Sequence, residues 1–75
     1  MIARITGKVL EKEEKAVIVD VGGIGYRVMV LGRVLHKLKT GENVSFKIHH
    51  HVSDEAENLF GFEEKEYLDM FNLLL

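Results

Sequence analysis

Between Val44 and His51 the chain alternates without a break. Val44, Phe46, Ile48 and His50 fall on one parity, and Ser45, Lys47, His49 and His51 on the other. Side chains of a strand point alternately to its two faces, so this run reads as a strand with Val, Phe and Ile turned into a core. A half-buried strand needs a sheet around it, and the rest of the chain offers one. Residues 2–10 alternate loosely and read as a first strand, in which Gly7 predicts a bulge or sharp bend. Residues 16–21 are short and rich in β-branched side chains, and residues 26–30 resume the apolar pattern. Gly22 and Gly23 lie between these two runs, which marks a hairpin, since glycine accepts the positive φ of tight turns. Leu59-Phe60-Gly61-Phe62 reads as a short fifth strand.

The segments between these runs carry turn chemistry. Residues 11–15 are charged and lack an apolar face, so they read as a solvated turn, and Ser53 to Asn58 form a polar, acidic loop. In residues 31–40 the spacing of Val34, Leu35 and Leu38 suits a short helix or an irregular crossover. From Glu63 onward the period changes, and Tyr67, Leu68, Phe71, Leu74 and Leu75 share one helical face. The pattern stops at Leu75 without a cap, so this helix is expected to continue. The predicted fold class is all-β: a five-stranded oligonucleotide/oligosaccharide-binding (OB) Greek-key barrel over residues 1–62, followed by a helix from residue 63. An SH3-like barrel also has five strands, and the pattern leaves it open.

Seventy-five residues make one small domain with no Cys, so neither a disulfide nor a thiolate metal site adds stability. Packing, self-association or docking onto further chain must supply it. No apolar run approaches the length of a membrane span or a signal peptide, which points to a cytoplasmic protein without membrane contact. The net charge of −2 conceals an asymmetry. Nine of the ten Lys and Arg residues precede His51, and seven of the twelve acids follow it. Charge alone therefore argues only weakly for a phosphate partner.

Several residue groups invite a chemical reading. Asp54 and Glu55 are adjacent acids, but no nucleophile or base accompanies them, so a catalytic carboxylate pair is a poor reading beside a solvated turn. Of His49, His50 and His51, only His49 and His51 share a strand face, and two ligands make no zinc site, so these read as surface histidines. Gly22-Gly23-Ile24-Gly25 is followed by a strand where a phosphate-binding loop would need a helix. Arg4, Lys8 and Lys47 alternate with core positions and face outward, which makes them the candidates for phosphate contact. Arg27, Arg33, Lys37 and Lys39 are weaker candidates. Phe46, Phe60 and Phe62 all sit in apolar strand patterns, which would leave few aromatics to stack unpaired bases. No catalytic residue, cofactor or metal is expected.

Met1-Ile-Ala-Arg-Ile-Thr-Gly7, Val21-Gly-Gly-Ile-Gly-Tyr26, and Asp54-Glu55-Ala56 followed by Leu59-Phe-Gly-Phe62 together resemble the first domain of the RuvA family, in its order and spacing over essentially all 75 residues. The resemblance implies an OB barrel that builds the core of a homotetramer bound to four-way (Holliday) junction DNA. It implies a second domain of helix-hairpin-helix motifs that grips the duplex, and a third that recruits the RuvB ATPase motor for branch migration in recombination and repair. It also maps the family's acidic pin onto Asp54 and Glu55. Ser53 stands where the family pattern favours a basic residue, so no phosphate contact is expected there. A protein-interaction barrel and a stand-alone single-strand-binding barrel are the rival readings.

Overall fold

A computed structural model describes residues 1–52 and 57–63. The predicted helix after Glu63 and the Asp54–Glu55 pair lie outside the described residues.

Five strands and one short helix follow in the order β1 (Arg4–Lys12), β2 (Ala16–Val21), β3 (Ile24–Met29), α1 (Gly32–Lys37), β4 (Asn43–Val52) and β5 (Glu57–Phe62). They close a barrel in the order β1-β2-β3-β5-β4, with β1 also pairing β4. Every pairing is antiparallel except β3 with β5. A parallel rung between β3 and β5, with a helix bridging β3 to β4, is the OB arrangement. This topology answers the question that strand count left open.

The core is assembled from alternate strand positions. Ile5 and Val9 of β1, Val17 and Val19 of β2, Val28 of β3, and Phe46 and Ile48 of β4 are buried together. Val34 and Leu35 of α1 join the same cluster, so the helix plugs one end of the barrel. Among the described residues no polar or charged side chain is buried. None of their helices is long and apolar enough to cross a membrane.

β1 is the strand that closes the barrel, because its first half pairs β4 and its second half pairs β2. It runs two residues beyond the expected end, since Glu11 and Lys12 pair with Ile18 and Val17. Ladder bonds involve only backbone, so charged side chains are admitted where they face solvent. The register slips between Val9 and Glu11, so the bulge falls at Leu10 and not at Gly7. Gly7 has a different cause. A Cβ built there would collide with the Asp20 carbonyl oxygen and touch Val19, so the glycine permits close approach of β1 to β2. The β2–β3 turn is as predicted, with Gly22 and Gly23 at φ +61° and +92°. The Asp20 carboxylate accepts the Gly23 N–H at 3.0 Å.

β5 departs most from expectation. Gly61 is buried and faces the core, where its missing Cβ leaves room for Val28 and Phe46. By parity Phe60 and Phe62 turn outward, and both are half-buried.

Candidate nucleic-acid interface

The register of β1 against β4 decides which charged side chains meet. Arg4 pairs with Lys47, Thr6 with Ser45 and Lys8 with Asn43. Ile5 and Phe46 on the opposite parity are buried, so Arg4, Thr6, Lys8, Ser45 and Lys47 share the outer face. The three cations singled out in the sequence are therefore brought together. Arg4 and Lys8 are exposed, and Lys47 is half-buried. Between them the Thr6 and Ser45 hydroxyls lie 2.9 Å apart, and Arg4 Nη1 donates a long bond of 3.5 Å to Ser45 Oγ. No carboxylate ion-pairs with Arg4, Lys8 or Lys47 among the described residues, although Asp20 stands opposite Lys8 across the β1–β2 ladder. Two cations and two hydroxyls on adjacent strands form a donor-rich patch suited to a phosphate.

Two of the weaker basic candidates, Arg27 and Lys37, are engaged with carboxylates. Arg27 donates two hydrogen bonds to Glu13, at 2.8 and 3.2 Å. That fork pulls the Glu13 carboxyl below its ordinary value and raises the Arg27 guanidinium above its own. Lys37 Nζ lies 2.9 Å from Glu63 Oε1, and Lys12 Nζ donates to the Leu38 carbonyl at 2.9 Å.

β4 and β5 form the adjoining wall of this face. Lys47 pairs with Phe62, His49 with Phe60 and His51 with Asn58. The His49 ring centroid lies 6.4 Å from Phe60 and 6.5 Å from His51. Phe60 and Phe62 also line an apolar groove of about 550 Å³ with Met29, Val30 and Leu31. The assignment of all three strand phenylalanines to the core thus holds only for Phe46. Among the described residues no three His, Cys, Asp or Glu side chains are grouped to hold a metal ion.

The last rung of the β4–β5 ladder pairs Val52 with Glu57, and residues 53–56 connect the two strands. At the foot of this connection His50 differs from its neighbours. Its side chain is only 10% exposed; Nδ1 accepts the Ile2 N–H at 3.0 Å, and Nε2 meets Glu57 Oε1 at 2.5 Å. The sequence held the signal, because His50 shares the parity of Phe46 and Ile48, but a surface reading passed over it.

Fold and face together define a small OB barrel with a basic patch on the outer face of β1 and β4. The family model for the RuvA N-terminal domain matches residues 1–61. A Holliday junction branch migration complex subunit RuvA from Geotalea daltonii is 42% identical across the whole of this chain, which covers 38% of that relative. Its counterparts in Geobacter sulfurreducens and Deinococcus radiodurans are 40% and 39% identical over 100% and 99% of this chain, covering 38% and 37% of their lengths. The chain belongs to the RuvA N-terminal domain family.

Proposed function

We propose that this barrel is the junction-facing first domain of a Holliday-junction-binding protein. The family match over residues 1–61 carries the reading. The protein binds four-way DNA as a homotetramer in the cytoplasm, supplies no catalytic chemistry and needs no cofactor. Branch migration is driven by a partner RuvB ATPase, recruited through a part of the protein beyond this chain, which spans 38% of relatives named as branch migration complex subunits.

Within that reading, Arg4, Lys8 and Lys47 contact phosphates on the arms of the junction, and Asp54 and Glu55 act as a negative guide at its centre. Like charges about 4 Å apart repel by about 1 kcal/mol in water, and by several-fold more where the local dielectric falls. A carboxylate pair at the crossover keeps phosphates from settling there and leaves strands free to exchange. Helix-hairpin-helix motifs of a second domain, beyond residue 75, provide most of the duplex grip.

The test is competition in the full-length protein between a labelled four-way junction and linear duplex or single strand at matched salt. Preference for the junction by about ten-fold or more supports the reading, given that non-specific backbone binding makes no such distinction. Equal binding to any single strand, with the junction ignored, overturns it.

A further inference from the structure

We infer that His49, His51 and Phe60 form a ledge on the outer face of β4 and β5, on which unpaired bases of single-stranded DNA stack. The inference rests on the reading of Arg4 and Lys47 as phosphate contacts. Lys47 pairs with Arg4 on one side and Phe62 on the other, and His49 pairs with Phe60, so β1, β4 and β5 present one continuous outer face. His49 and His51 follow Lys47 on the same parity, with about 7 Å between successive positions on that face. Both are exposed, and Phe60 is half-buried. Their rings are gathered: the His49 centroid lies 6.5 Å from His51, with the planes 22° apart, and 6.4 Å from Phe60. His50 turns to the opposite face, where Ile2 and Glu57 hold it, and takes no part.

Among the described residues no carboxylate ion-pairs with Arg4, Lys47, His49 or His51, and neither histidine has a hydrogen-bond partner. The two imidazoles therefore keep their ring faces for a ligand. Phenylalanine and histidine rings both serve as stacking surfaces for splayed bases, and stacking tolerates any base because every base has a flat face. Stacking alone draws no strand out of solution. The cations beside the ledge supply that attraction, since they complement the charge of a phosphate backbone whatever its sequence. A cationic track next to a row of flat rings is the combination that single-strand binding requires. A duplex keeps its bases stacked inside and offers the ledge nothing. Strand exchange at a four-way junction opens base pairs before re-forming them, so a junction-binding barrel meets unpaired bases.

The test compares two strands with the same phosphates, one of which lacks bases. In the full-length protein, fluorescence anisotropy measures affinity for a labelled strand of about 15 thymidines and for an abasic strand of equal length. The wild type is expected to prefer the thymidine strand about ten-fold. In His49→Ala with His51→Ala, and separately in Phe60→Leu, that preference falls to about two-fold or less. His49 and His51 are exposed, so their removal leaves the core untouched, and Phe60→Leu keeps the site apolar; a matching Tm verifies both. Regions of the protein beyond this chain contribute equally to every variant and cancel in the comparison. Arg4→Ala with Lys47→Ala weakens both strands alike and leaves the preference near ten-fold. If it weakens neither, the phosphate reading fails, and the preference still reports on the ledge. No preference in the wild type, a preference that survives both ledge variants, or ledge variants that weaken the two strands equally would each overturn the inference.

Discussion

Arg4 and Lys47 face each other across the β1–β4 ladder, and removing both tests whether that patch holds phosphate. Directly opposed residues have Cβ atoms about 5 Å apart, so the two cationic heads can flank one stretch of DNA backbone. Each phosphate neutralised contributes about −0.9 to the slope of log affinity against log salt. Arg4→Ala with Lys47→Ala therefore makes the slope shallower by about 1.8. Between about 0.1 and 0.4 M salt, the wild type then loses about 12-fold more affinity than the variant. Fluorescence anisotropy with a labelled four-way junction at four salt concentrations measures both slopes in the full-length protein. The control is Glu13→Ala with Arg27→Ala, which removes a cation already held by a carboxylate and leaves net charge unchanged. An unchanged slope in the Arg4/Lys47 variant, or an equal drop in the control, would refute the phosphate assignment.

Other outcomes follow from the packing. Gly61→Ala places a Cβ 2.5 Å from Val28 Cγ1 and 3.3 Å from the Phe46 ring, both in the core, and is expected to cost about 1–3 kcal/mol as overpacking. Thermal unfolding should show it, and Gly61→Ala with Val28→Ala should lose less than the sum of the two single changes. Gly7→Ala should be worse than Gly61→Ala, because its neighbour is the Asp20 backbone and cannot turn aside. The Arg27 bond lowers the Glu13 pKa, so its contribution to stability is present above the ordinary carboxylate value and lost as pH falls through the folded one. The difference in Tm between wild type and Glu13→Gln should therefore be full at about pH 7 and shrink progressively as pH falls below the ordinary carboxylate value.

The barrel was legible in the sequence because each strand buries one face. The parity of residues 44–51 set the inward face of β4, and Gly22-Gly23 set the β2–β3 hairpin. Pairing between distant strands leaves no such trace, so the parallel rung from Met29 to Phe60 that closes the barrel had to come from the structure. The bulge at Leu10 is a backbone event that no side chain announces. Phe60 and Phe62 were misplaced because apolar character argued for the core, whereas alternation turns Leu59 and Gly61 inward, and Val28 and Phe46 fill the space that a side chain at position 61 would need. Arg4, Lys8 and Lys47 were assigned outward correctly by alternation, yet their convergence depends on the β1–β4 register. His50 shows the opposite failure, since parity placed it inward while its polar character suggested the surface.

On the proposed function, Asp54 and Glu55 meet the crossover of a four-way junction. A photo-crosslinking side chain at Ala56, beside the acid pair and before β5, tests it in the full-length protein bound to a junction of fixed sequence. Crosslinks should map to nucleotides at the centre of the junction, within about two base steps of the exchange point, given the 3.4 Å spacing of bases along a strand. Crosslinks spread along the arms, or appearing equally on linear duplex, would contradict the account.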